Sequence, residues 1–251
     1  FLRLIALVFA ATLFVPLVTA FCSRLNDPAP WTAAPYVTYP ALSLVLAGVG
    51  LLFARVLKAS EARLDAAFVE QTEFLDTFPD KWADVAIFAS AALSLFLQLA
   101  VIRWQGTVFE FFAFYKNFTL LSCFAGLGIG YSLSSRDRTP LVLVVPLLAW
   151  QFLFLIAFRS GMPEWAFASV RNLPFQEQLN MGVNVLTTFA EGVATYCFLS
   201  VAFVMTAVAF VPIGQLCGRT MKRRPNLRAY GLNLLGSLVG DYALAHGASA
   251  V

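Results

Sequence analysis

The sequence predicts an all-α protein: a polytopic transmembrane helical bundle of six complete spans and the start of a seventh. Three observations carry that prediction. Of the 251 residues 60% are hydrophobic and only 12% charged, about half of the roughly 25% charge that a solvated globular domain carries. Apolar runs recur at the length of about 20 residues that a helix needs to cross a bilayer. Strict two-residue alternation is absent, which removes a closed barrel and leaves helices as the spanning element.

The runs fall at residues 2–22, 36–57, 83–102, 111–131, 140–158 and 186–212, with the seventh beginning near Ala229. The first has Arg3 near its start and Val18-Thr19-Ala20 near its end, the outline of a signal peptide. Its apolar length matches a full crossing, so it is read as a retained span. Pro16, Pro146 and Pro212 lie in or at the ends of spans, where proline kinks or stops a helix. Residues 23–35 form a Pro-rich loop. Residues 58–81 carry Leu64, Phe68, Leu75 and Phe78 among charges, which suits an amphipathic helix along the interface or packed under the bundle. Residues 159–182, with Trp165, Phe167 and Phe175, are a second interfacial connection. All five tryptophans are expected near span ends or in loops, at headgroup level. The whole chain reads as one integral membrane domain.

Orientation follows from the basic residues. Arg3, Arg55, Lys58, Arg63, Lys81, Arg136, Arg138, Arg219, Lys222, Arg223, Arg224 and Arg228 lie at the amino end and in the even-numbered connections. They are twelve of the 17 Lys and Arg residues. Basic residues are retained on the cytoplasmic face. The amino end and even loops are therefore expected inside, and the protein in a bacterial cytoplasmic membrane.

Polar residues inside apolar spans mark candidate sites, because a charge at the bilayer centre costs about 3 kcal/mol on insertion scales. Gln98, Arg103, Glu110 and Lys116, with Asn117, interrupt the third and fourth spans. They form either a cluster that binds a ligand or relays protons, or charges at headgroup level around a turn at Gly106. Asn184, Thr188, Glu191 and Thr195 recur at three and four residues, along one face of the sixth span. That stripe lines a cavity or proton path, or makes an inter-helix hydrogen-bond seam; Glu191 could pair with Arg103. Gly126, Gly128 and Gly130 lie within a span, not after a strand, so they are read as a packing surface and not as a phosphate loop. Gly236 and Gly240 are read in the same way.

Several chemistries are excluded. His246 is the single histidine, so a bis-histidine haem cannot be built within this chain, and a Ser-His-Asp triad or histidine-rich metal centre is not expected. Cys22, Cys123, Cys197 and Cys217 show no paired spacing and are expected as free thiols. A formal charge of +3 with basic residues at span ends does not suit nucleic acid. No catalytic constellation, metal or cofactor is expected within these residues. The lipid bilayer is the expected partner, with other membrane subunits as further candidates.

Two segments carry a resemblance. One is the span ending Ile102-Arg103-Trp104 together with the aromatic helix FEFFAFYKNFTLLSCFAGLGIGY. The other is Pro212-Ile-Gly, a basic loop, then Leu227 to Gly240 (LRAYGLNLLGSLVG). Together they resemble the membrane domain of bacterial spermidine-synthase-like proteins, which join a helical membrane region to a cytoplasmic aminopropyltransferase-type Rossmann domain. The likeness covers roughly a third of the chain, and members often have an acid where this chain has Gln98. No strand–Gly-rich-loop–helix unit follows Gly240 in these 251 residues, so the resemblance implies the membrane architecture and not aminopropyl transfer. The expected function is an anchoring or small-substrate-binding membrane module for a cationic or lipidic ligand. The alternatives are a non-catalytic accessory subunit of a larger complex and, third, a secondary transporter, which would call for an inverted repeat.

Overall fold

The computed structural model describes residues 1–26, 33–109, 112–113, 116–161 and 189–247. Among them the chain is all α, with seven helices and no strand. These are α1 (Leu2–Asn26), α2 (Ala33–Thr77), α3 (Ala83–Val108), α4 (Lys116–Ser132), α5 (Val144–Gly161), α6 (Phe189–Met221) and α7 (Asn226–Gly247). Short 3-10 turns at Asp80–Trp82 and Leu141–Leu143 lead into α3 and α5.

Each apolar run overlaps a helix in its described part, but not every helix is long and apolar enough to span. By length and composition two helices among the described residues are long and apolar enough to cross a membrane, Asp80–Val108 and Tyr196–Met221. Leu2–Val18 and Leu141–Ile156 are apolar and shorter. Six complete crossings are therefore not supported; two candidate spans are. Helix α4, for one, has 17 residues and reaches about 26 Å against a hydrocarbon core of about 30 Å.

Helix α6 is the axis of the fold. It packs on α1, α3, α4 and α5, and every residue from Met205 to Gln215 is buried. One apolar cluster joins Val8 and Val15 of α1, Phe154 and Leu155 of α5, and Phe198 and Met205 of α6. Phe109 closes it edge-on to Phe198, with centroids 5.4 Å apart. A second cluster joins Val101, Cys123, Leu127, Phe210 and Ile213 across α3, α4 and α6. Helix α7 lies chiefly on α3, and α2 lies beside α1.

Glycines set the two closest helix pairs. A Cβ added at Gly126 would fall on the Ala207 carbonyl oxygen, and one at Gly130 on that of Val211, so α4 and α6 meet backbone to backbone. Gly236 and Gly240 of α7 do the same against the carbonyls of Phe88 and Ala92 of α3. Without a Cβ the helices approach close enough to gain dispersion contacts, the main attraction when lipid is the competing solvent. Gly128 does not belong to this seam. A Cβ there meets nothing within 4 Å, because two residues on a helix turn about 200°.

Four further expectations change. Residues 58–81 are not a separate interfacial helix, since α2 runs unbroken for 45 residues, about 68 Å. No Gly or Pro stands between Gly50 and Pro79 to break it. Pro212 does not end its helix; α6 continues nine residues beyond, to Met221. Most of the basic 219–228 segment is therefore helical, and only the 222–225 stretch turns. Trp150 and Trp104 turn towards neighbouring helices: Trp150 packs on Phe9 at 4.4 Å and Trp104 on Phe152 at 4.0 Å. Of the second connection only 159–161, the end of α5, is described.

Candidate functional site

The expected polar cluster divides. Gln98 is buried, 3% exposed, and its Nε2 donates to Ser94 Oγ of the preceding turn at 3.2 Å. Arg103 lies exposed on another side of the same helix, about 140° around from Gln98 at 100° per residue, so the two do not form one site. Lys116 opens α4 and Glu191 lies in the first turn of α6, but their side chains fall outside the described residues, as do Glu110, Asn184 and Thr188 altogether.

In place of that cluster, four helices meet at a buried polar node. Thr206 of α6 donates to the Ala202 carbonyl at 2.9 Å. Its oxygen accepts from Gln105 Nε2 of α3 at 3.1 Å and from Gln151 Nε2 of α5 at 2.6 Å. Thr119 of α4 donates to Gln105 Oε1 at 2.7 Å. All four residues are at most 1% exposed. The hydroxyl of Thr206 thus uses its one proton and both lone pairs. Gln151 Oε1 is buried with no partner. The node ties four helices through polar groups that are buried away from solvent. Gln105 and Gln151 carried a signal in the sequence, each a lone amide in an apolar run. Nothing in the spacing linked them, as they sit 46 residues apart.

At one end of the bundle the basic residues are paired. Arg219, its side chain 9% exposed, reaches Asp76 at 2.6 Å and also the Arg136 carbonyl. Arg223 reaches Asp80 at 2.6 Å and lies 4.5 Å over the Phe78 ring. Arg224 at 2.7 Å, together with Arg228, clamps Asp84. Lys222 donates to Ser135 at 2.7 Å, and Arg138 pairs with Asp65 at 3.3 Å. Three connections that the charge count placed on one side therefore meet at one end. The amino end joins them: Arg3 lines a polar cavity of about 560 Å³ with Glu61, Asp65, Arg136, Asp137 and Gln215.

Cys123, Cys197 and Cys217 are free thiols. Among the described residues no group of three His, Cys, Asp or Glu could hold a metal ion. The node can hold helices in register, and the charged end can hold a small charged group. No protein-family model matches the chain, and no curated protein or solved structure shows significant similarity to it.

Proposed function

We propose that the chain is a multi-pass membrane module of the spermidine-synthase-like kind, with its amino end and basic connections cytoplasmic, acting as an anchor that also binds a small ligand. The observation that carries the membrane part is the inverted polarity of its helices. On α3 the buried face holds Ser90, Ser94, Gln98 and Gln105 beside Ile87, Ala91 and Val101, while Val85, Leu93 and Phe96 are exposed. On α4 Thr119 and Ser122 are buried, while Leu121, Phe124 and Ile129 are 50–61% exposed. A helix in water shows the opposite arrangement; apolar outside with hydrogen-bonded polar groups inside is what lipid favours. The two long apolar helices support the same reading. In this proposal α1, α2, α4 and α5 complete six crossings by tilting or by local thinning of the bilayer.

The convergence of Arg3, Arg136, Arg138 and the 219–228 segment at one end supports a single cytoplasmic face. Single-cysteine variants at Ser135 and Leu227, in a chain whose native cysteines are replaced, test it. Both should label from the cytoplasmic side with an impermeant maleimide in right-side-out and inverted vesicles. Opposite sidedness, or a chain that stays soluble without detergent, would overturn it. The accessory-subunit reading draws on α7, where Leu227, Tyr230, Leu234, Leu238 and Tyr242 are 53–87% exposed. A partner helix in gentle detergent extracts, lost on replacing Leu234 and Leu238 by Ala, would favour it.

A further inference from the structure

We propose that one cleft of this bundle binds a single amine-bearing zwitterionic phospholipid, with the headgroup in the charged cavity and an acyl chain along an adjoining apolar groove. The proposal rests on the membrane reading and names the ligand class of its binding site.

The groove has a volume of about 410 Å³ and is walled by the same four chain segments as the charged cavity. On α1 the cavity touches Arg3, and the groove takes over at Ile5, Val8 and Phe9. On α2 it touches Asp65 and Glu61, and the groove continues through Leu57 and Phe53 to Val49. The segment leading into α5 goes from Pro140 at the cavity to Leu143, Leu147 and Trp150 in the groove. On α6 the order is Gln215, then Val208 and Met205. In all four segments the polar positions lie towards the charged end and the apolar ones further in. The two cavities therefore follow one another along the same segments, the polar one towards the charged end, and are joined in this proposal as one cleft. Gln215 to Met205 is ten helical residues, about 15 Å, which is the depth from headgroup level to the middle of a hydrocarbon core of about 30 Å.

The mouth selects the headgroup. Arg138 and Asp65 pair with each other. Among the described residues the side chains of Arg3, Arg136, Glu61 and Asp137 make no ion pair. Two cations and two carboxylates facing one cavity suit a ligand that carries both signs: a phosphate against the guanidiniums and an ammonium against the carboxylates. Gln215 closes the inner side of the mouth: it is 4% exposed, and its Nε2 donates to the Leu133 carbonyl at 3.3 Å. An anionic headgroup would leave the carboxylates unmatched.

The test is native mass spectrometry and competition on the intact chain, purified in detergent, with dioleoyl-phosphatidylethanolamine and dioleoyl-phosphatidylglycerol at equal concentration. The expected result is one bound lipid per chain, with phosphatidylethanolamine preferred by about tenfold. Glu61→Gln with Asp137→Asn should erase that preference while leaving helicity and thermal unfolding unchanged. Val56→Trp, placed in the groove on α2, should lower binding of both lipids. Equal retention of the two lipids, or no stoichiometric lipid, overturns the inference while leaving membrane insertion intact. Free phosphoethanolamine binding as tightly as the lipid overturns the acyl part and assigns the mouth to a soluble zwitterion. A chain that needs no detergent fails the membrane reading itself.

Discussion

Replacing Gly126 by Ala separates close helix packing from every other effect of that methyl, because Gly128 on the same helix serves as its control. The new Cβ at Gly126 would meet the Ala207 carbonyl oxygen, lie 2.8 Å from Phe210 Cβ and 2.9 Å from the Ala207 carbonyl carbon. Ordinary carbon contacts begin near 3.5 Å, so α4 and α6 must part by on the order of 1 Å. Such a gap forfeits a quarter to a half of the dispersion well along the seam. Over-packing of this kind costs about 1–3 kcal/mol. Both substitutions share the helix-propensity gain of about 1 kcal/mol, so it cancels in their comparison. Gly126→Ala should therefore be less stable than Gly128→Ala by about 1–3 kcal/mol, roughly 5- to 150-fold in the folded-to-unfolded ratio. The assay is reversible unfolding in mixed micelles with rising dodecyl sulfate, followed by helical circular dichroism. Equal midpoints for the two variants would refute the backbone-to-backbone packing of α4 on α6.

Thr206→Val should cost more than Gln105→Leu, by about 1–2 kcal/mol in the same assay, since it strands two buried amides, whereas Gln105→Leu leaves Thr119 without its acceptor and Thr206 with its other partners; a coupling near zero in the double mutant would show the node is not a unit. Asp84→Asn should release Arg224 and Arg228 and speed tryptic cutting after Arg228 with helicity unchanged; an unaltered cleavage rate would mean the clamp does not hold the α6–α7 turn. A membrane-permeant maleimide should modify Cys197 before Cys123 and Cys217, which are at most 1% exposed; rapid labelling of the latter two would contradict the second cluster. Arg219→Gln should lower the unfolding midpoint more than Arg138→Gln, because Arg219 is held in a buried setting by two acceptors while the Arg138–Asp65 pair is exposed, and exposed pairs contribute little.

Much of this architecture was legible because long apolar runs leave the backbone few structures other than helices. Runs such as 83–102 and 186–212 announce helices by length and hydropathy alone, and basic residues at run ends announce one face of the bundle. Gly126, Gly130, Gly236 and Gly240 were legible as packing positions, since small residues four apart share a helix face. Gly128 was misjudged because adjacency in the motif hid its angular position. Residues 58–77 were legible as helix, but an amphipathic pattern does not say whether a helix begins anew or continues from the one before. The candidate site was the least legible part. Gln98 and Arg103 stand five residues apart in sequence yet point in different directions. Gln105, Thr119, Gln151 and Thr206 meet only when four helices close around α6.

Composition and periodicity, taken by themselves, settled that this chain is helical, that its helices are apolar and where its positive charge gathers. These are properties of single segments: propensity, burial free energy and charge act on each run without reference to its neighbours. The partners were decided by tertiary structure alone: α4 on α6, α7 on α3, Arg219 with Asp76, and the four-helix node at Thr206. Those depend on backbone approach and on the angular position of each side chain once helices pack, and both are set by contacts between residues far apart in the chain.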